Sequence, residues 1–434
     1  MRKNLESLIA KCVLGVGLFS IVLLNGCSTL SIRKYIETKP SYVEVKKIKD
    51  DWNLFVNKKR YIVKGMVYEP TPPGYSPQIV RFDWMNEDSD KNGKANAPYE
   101  SFIDANKNNV QDVNEPRKGD FSIMKEMGVN TIRIYHIRDF SEEESKKTLN
   151  DLYKKYGVMV LVGDYLGAYT KGSGASWQEG TDYTNPDHKK KMLEEVISIV
   201  KSYKNEPFVL GWVLGNENTH MGTRTNAAIY PKEYYSFVND VAKVIHKNDK
   251  KHPVILCNTS THFVGAMAKY IPDIDIFGAN AFDLDKAGNQ LFSAVKKNIG
   301  KPVIITEYGT SSYNNGKLEE DESIQAEIHS RCWKTISSNF AGSGNRNSLG
   351  GVIFEWTDEW WKTTDPLEHD AFDIELIKQG SPNISEEELK KRMKNFINPN
   401  EEYLGICSLG NGKNNFLRQL KKVYYLYKSE LWNN

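Results

Sequence analysis

The chain is poor in cysteine, has no surplus of either charge, and contains one long apolar run. Five cysteines stand among 434 residues, and beyond position 27 only Cys257, Cys332 and Cys407 remain. Three thiols at such spacing exclude a disulfide framework and a cysteine-ligated zinc site, so they read as packing residues. Basic residues number 58 against 56 acidic ones, a net charge of +2. That balance lacks the basic surplus a phosphate backbone requires, and no nucleic-acid partner is expected. Lys-rich pieces such as His188-Lys189-Lys190-Lys191 read as solvated helix faces. Neither an internal repeat nor a low-complexity block is present, which excludes solenoids and long linkers.

The one long apolar run lies at the start. Arg2 and Lys3 precede an apolar segment over 13–24, too short for a comfortable membrane span. It ends in Leu24-Asn25-Gly26-Cys27-Ser28, which resembles the bacterial lipoprotein cleavage box, with Cys27 as the lipidated residue. Residues 1–27 are therefore expected to be a lipoprotein signal peptide and the polar stretch 28–55 a tether. The remainder, 56–434, would be held outside the cytoplasm at the bacterial cell envelope by a membrane lipid anchor.

From about residue 61, short apolar runs alternate with amphipathic stretches, the pattern of parallel βα units. Expected strands cover 62–68, 131–135, 158–163, 208–214, 254–258, 274–278, 303–306 and 351–356. Helices are expected over 121–127, 142–156, 186–204, 232–247, 291–298, 324–338 and 416–431. Eight strands in such an order predict an α/β fold, a (β/α)8 TIM barrel, for which about 250 residues suffice. Long insertions follow strand 1 (69–118) and strand 8 (357–414), and loops of that length tend to be functional. Aromatic residues are plentiful, with 9 Trp and 23 Tyr, as suits stacking on sugar rings.

Two short stretches carry chemistry: Gly215-Asn216-Glu217-Asn218 and Thr306-Glu307-Tyr308-Gly309. Each puts one Glu directly after an apolar strand, at the barrel end whose loops build active sites. Two carboxyl groups facing each other about 5–5.5 Å apart can break a glycosidic bond with retention of configuration. Such a pair must be uneven: the acid stays protonated by an environment that disfavours charge, and the nucleophile stays ionised by nearby donors.

Further motifs join them. Lys64-Gly65-Met66-Val67-Tyr68, Asn130-Thr131-Ile132-Arg133, Gly211 to Glu217, Thr306 to Gly309, and Gly350 to Trp356 occur in an order and spacing similar to retaining TIM-barrel glycosidases of clan A. The set most resembles the catalytic domain of glycoside hydrolase family 2, and its opening strand resembles that of β-1,3-glucanosyltransferases. That resemblance implies Glu217 as general acid/base and Glu307 as nucleophile. It also implies Asn216 on the sugar 2-hydroxyl, Arg133 keeping the nucleophile ionised, and Trp356 as an apolar floor. Tyr308 and His136 would be further substrate-lining groups. The phenol that related barrels carry after strand 6 is missing from Asn280-Ala281-Phe282, so Tyr308 or another group must supply its hydrogen bond.

No cofactor is expected for catalysis, but a structural Ca2+ is. Within an insertion at 81–118, Asp104, Asn106, Asn108, Asp112 and Glu115 offer oxygens at positions 1, 3, 5, 9 and 12 of a 12-residue calcium loop. Val110 would add its carbonyl, and Asn109 replaces the customary glycine at position six. Asp88 to Gly93 repeats the opening half, but Glu100 falls at position 13.

The expected partner is a carbohydrate, most simply a β-glucan-type poly- or oligosaccharide cleaved by double displacement. A β-galactosidase- or β-mannosidase-like activity on the same barrel is the nearest alternative. A non-catalytic surface carbohydrate-binding lipoprotein is the other, and it would have no need of both glutamates.

Overall fold

The apolar runs become strands because their residues are buried on both faces, as parallel strands covered by helices require. β1 (Val63–Val67), β2 (Thr131–Ile134), β3 (Met159–Asp164), β4 (Val209–Leu214), β5 (Val254–Asn258), β6 (Ile276–Asn280), β7 (Val303–Tyr308) and β8 (Ser348–Ile353) form one closed parallel barrel, with β8 pairing back to β1. The computed structural model describes residues 39–433 apart from 78–79, 260–262, 363–364, 371–383, 386, 389–390 and 392–399. The signal peptide, Cys27 and the first part of the tether lie outside these residues.

Among the described residues, seven helices of seven residues or more separate the strands, besides a short one at Asn96–Glu100: α1 (Asp120–Met127), α2 (Glu142–Tyr156), α3 (Pro186–Tyr203), α4 (Pro231–Asn248), α5 (Val264–Tyr270), α6 (Leu284–Asn298) and α7 (Glu322–Ser337). Local sequence sets their ends. In α2 the Ser141 hydroxyl accepts the Glu144 amide, acids fill the first turn, lysines the last, and Gly157 closes the helix at φ 67°. α5 has no counterpart among the expected helices, and α6 begins seven residues earlier than its apolar stripe suggested.

Two apolar layers hold the barrel. An inner one includes Val63, Met159, Leu161, Leu210, Val213, Ile255, Ile304 and Val352. The outer one lies between strands and helices and includes Ile132, Val160, Trp212, Phe277 and Ile305.

Three expectations need correction. The tether does not reach residue 55, because Val43–Ile48 and Asp51–Val56 pair as an antiparallel hairpin. Val43 and Leu54 pack on the inner cluster, and the Val43 and Trp52 amides donate to the carbonyls of Lys251 and Arg346 just before β5 and β8. The hairpin thus closes the end of the barrel opposite the strand C-termini. Next, 416–431 is not one helix: Leu417–Leu420 is a strand, followed by a short helix α8 (Lys422–Leu426) and a wider turn over Tyr427–Leu431. The apolar pattern misled here because Leu417 and Leu420 fit a helical stripe as well as a buried strand. Finally, the two long insertions, read as loops, contain strand segments that pair in one small sheet. Leu417–Leu420 pairs with Phe102–Ile103 from the first insertion and with Cys407–Ser408 from the second. A buried ion pair, Arg418 Nε to Asp120 Oδ1 at 2.9 Å, joins this small sheet to α1.

Candidate active site

The C-terminal ends of β2, β4, β6 and β7 bring five polar side chains together: Arg133, Asn216, Glu217, Asn280 and Glu307. Arg133, 1% exposed, donates from Nη1 to Glu307 Oε1 at 2.8 Å and from Nη2 to Asn216 Oδ1 at 2.9 Å. Nη1 also reaches the Thr306 carbonyl at 3.0 Å. Asn280 donates from Nδ2 to Glu217 Oε1 at 2.9 Å and to Asn216 Oδ1 at 3.1 Å, and its own Oδ1 faces Arg133 Nη1 at 3.3 Å. The two glutamates, far apart in the chain, are therefore linked through one arginine and one asparagine. Because Asn216 accepts both inner donors on its oxygen, its amide nitrogen is the end turned to the Tyr169 hydroxyl and the cleft.

Glu217 sits on a tight turn. Gly215 takes φ 76° and Glu217 itself takes φ 58°, a region non-glycine residues visit rarely and mostly where surrounding structure enforces it. Asn218 does the enforcing. Its Oδ1 accepts the Asn216 amide at 2.8 Å, and its Nδ2 reaches the Leu166 carbonyl at 3.1 Å and the Tyr183 hydroxyl at 2.7 Å.

Three sequence-predicted lining residues are elsewhere. Tyr308 is fully buried and accepts a hydrogen bond from the Tyr427 hydroxyl at 3.0 Å on the helix side of β7, because successive strand residues face opposite sides and Glu307 takes the inner one. Trp356 is fully buried in the outer layer and does not floor the cleft. The regular strand ends at Ile353, and the inner aromatic is Phe354, whose ring meets the exposed Phe282 edge-on at 5.8 Å. His136 is 3% exposed and turned toward Asp164 and Glu195. In exchange, three groups beside the glutamates were missed: Tyr135, Asn280 and Tyr169, whose hydroxyl meets the Asn216 side chain. The Tyr135 hydroxyl donates to Glu307 Oε1 at 2.7 Å and supplies the phenol absent after strand 6. Asn280 ends an apolar strand as the glutamates do, so the same positional signal would have found it.

The electrostatics differ from the uneven pair expected. Burial raises the Glu217 carboxyl, while the Asn280 amide and then Arg133 pull it down. Burial also raises Glu307, up to about 7, against the Arg133 guanidinium and the Tyr135 hydroxyl. Both groups rise because both are withdrawn from water, and Glu307 lies deeper. Lys362, ion-paired with Glu401 at 2.6 Å and Glu359 at 3.7 Å, lowers both. A nucleophile must be ionised, so activity should fall as pH drops through about 7. Tyr135→Phe removes a donor that favours the anion, so the acid limb of kcat/KM should move to higher pH. An unmoved limb would separate Tyr135 from that ionisation.

The acidic insertion is closed by hydrogen bonds among its own groups. Asp104 is 1% and Glu115 5% exposed. Asp104 accepts the amides of Asn108 and Asn109, and Glu115 those of Ala105 and Asp112. Asn106 and Asn108 both donate to Asp112 Oδ2. Asn109 takes φ 64°, as its place at position six requires. Gln419 Nε2 donates to Asp104 Oδ2 at 2.8 Å and ties the loop to the small sheet.

Residues 109–336 match the family model described as Glycosyl hydrolases family 2, TIM barrel domain. Among curated proteins, the chain is 22% identical over 258 residues to the 1,3-beta-glucanosyltransferase gel2 of Aspergillus fumigatus, covering 55% of this chain and 48% of that protein. It is 23% identical over 355 residues to Protein EPD2 of Candida maltosa, covering 78% and 55% respectively. The chain thus spans about half the length of the curated relatives it matches. Among solved structures, a beta-D-glucuronidase of Dictyoglomus thermophilum superposes with a TM-score of 0.52 at 16% identity, covering 91% of this chain and 54% of that one. At that identity the likeness is one of fold.

Proposed function

Since the chain belongs to the family described as Glycosyl hydrolases family 2, TIM barrel domain, we propose that it is a retaining β-glycosidase or transglycosidase acting on a β-glucan-type poly- or oligosaccharide. Glu307 attacks the anomeric carbon while Glu217 gives its proton to the departing oxygen, leaving a glycosyl-enzyme ester. Water or an acceptor sugar hydroxyl then loses its proton to Glu217 and displaces the sugar from Glu307. Arg133 and Tyr135 stabilise the carboxylate as it attacks and leaves. Asn216 presents its amide to the sugar 2-hydroxyl, and Phe354 with Phe282 offers the apolar wall.

The observation that carries this reading is the Glu307–Arg133–Asn280–Glu217 chain of contacts. A structural ion pair would need one acid and one base; here two acids share the donors. The glucan preference rests on the relatives named 1,3-beta-glucanosyltransferases and is the finer part of the proposal. Residues 28–434 should be screened on aryl β-glycosides and polysaccharides, with product configuration read by proton NMR. Retained configuration with highest kcat/KM on β-glucans is expected. Inversion, or inactivity on every β-glycoside, would defeat the assignment.

Calcium at 104–115 is proposed as a structural ion. Adding it at about 100 times its Kd to chelator-treated protein should stabilise the fold by about 3 kcal/mol, and Glu115→Gln should remove most of that gain. A melting temperature indifferent to calcium and chelator would end this proposal.

A further inference from the structure

His136, Asp164 and Glu195 come from three elements: the loop after β2, the last residue of β3, and α3. Their donor atoms all lie within 4.8 Å of one another. His136 and Asp164 are 3% and 5% exposed. Asp164 Oδ1 accepts the Leu166 amide at 2.7 Å, whereas its buried Oδ2 and the buried Glu195 Oε1 accept no hydrogen bond from an N–H group and meet only in the carboxyl–carboxyl contact between the two residues. His136 Nε2 points at Glu195 Oε1 from 3.6 Å, while Nδ1 takes the Tyr165 amide hydrogen at 3.4 Å. The backbone closes over this group tightly: a Cβ at Gly172, where φ is +76°, would sit 2.6 Å from Glu195 Oε1.

Two carboxyl groups this close, Asp164 buried and Glu195 part-buried, cannot both carry charge without a cation or a proton between them. The proton is what the ion-free protein holds. One imidazole and two carboxylates are ligands for a borderline divalent ion, unlike the all-oxygen set of the acidic insertion.

We propose that His136 Nε2, Asp164 Oδ2 and Glu195 Oε1 bind one Zn2+-type ion behind the wall of the cleft. Loading exchanges the proton held by the acid pair for the metal. It also moves the ring hydrogen from Nε2 to Nδ1 and gives up the long Tyr165 contact. The His136 ring stacks on Tyr165 at 5.4 Å, and Tyr165 on Tyr135 at 6.0 Å. The ion therefore anchors the loops carrying Tyr135 and Tyr169 to α3, and its role is positioning.

The test is direct titration of chelator-stripped full-length protein with ZnCl2 by calorimetry and with CoCl2 by visible absorption. One equivalent should bind, with release of about one proton near neutral pH, read from buffers of different ionisation enthalpy. Glu195→Gln, on the more open side of the group, should weaken binding by more than about 100-fold, beyond the loss that follows removal of an outer partner. Its ion-free melting temperature should stay near that of the parent, and excess Ca2+ should not displace the zinc. If Glu195→Gln does not fold, His136→Gln serves the same measurement. Failure of the parent protein to bind either ion, or equal binding by parent and variant, would overturn the proposal.

Discussion

Glu307→Gln should lower kcat by on the order of 10^4-fold or more, the scale seen when a covalent nucleophile is deleted. The amide keeps the shape of the carboxyl and can still accept from Tyr135, but it cannot form the glycosyl ester. Loss of fold is not the cause to expect. With the Glu307 carboxyl raised from 4.5 to about 7, the folded state holds its proton more tightly than the unfolded one. Its ionisation therefore erodes stability as pH rises between those values, and the erosion is complete above about 7. A neutral side chain escapes that loss, so the variant should melt no lower than the parent at pH 8, even with Arg133 deprived of its counter-ion. In Glu307→Gly, which vacates the carboxyl's place, external azide should restore turnover of an activated aryl β-glycoside and give the glycosyl azide of inverted configuration. A variant keeping near-normal turnover, or one inactive only because it is unfolded at pH 8, would remove Glu307 from the nucleophile role.

Glu217→Gln should behave differently, and the contrast assigns the roles. General acid–base groups contribute about 10²–10⁴-fold, and that loss should appear in full on an oligosaccharide, whose departing alkoxide needs a proton. An aryl glycoside with an acidic phenol needs little help to leave. Its first step should survive, producing a burst of phenol before a slow second step that lacks its base. Azide, which needs no base, should rescue that step and give an azide of retained configuration. Equal damage to good and poor leaving groups, with no rescue, would show that Glu217 is not the acid/base.

The barrel was legible because its signal is one of composition along the chain. Runs such as 208–214 are apolar on both faces, and only a strand covered by helices can bury both. The two glutamates were legible for a related reason: a lone acid directly after such a run can only lie at the strand's C-terminal end. Side-chain direction was not legible. Tyr135 and His136 are adjacent, and the fold turns the first to Glu307 and the second to Asp164 and Glu195. Phe354 and Trp356 pose the same choice, settled by where β8 stops. Nor could local sequence pair Phe102–Ile103 with Leu417–Leu420, since nothing in either segment names a partner so distant.

By itself the amino-acid order determined an eight-fold βα alternation, two strand-end acids, and an acidic loop that folds on its own Asp, Asn and Glu side chains. All three are properties of neighbours in the chain, set by apolar period and short spacing. Tertiary structure alone decided that Arg133 and Asn280 join those acids, that a phenol from β2 replaces the missing one after β6, and that three predicted lining residues face away. The reason is geometric. Closing the barrel brings side chains far apart in sequence within hydrogen-bond reach, and a one-residue change in where a strand ends chooses which of them face the cleft.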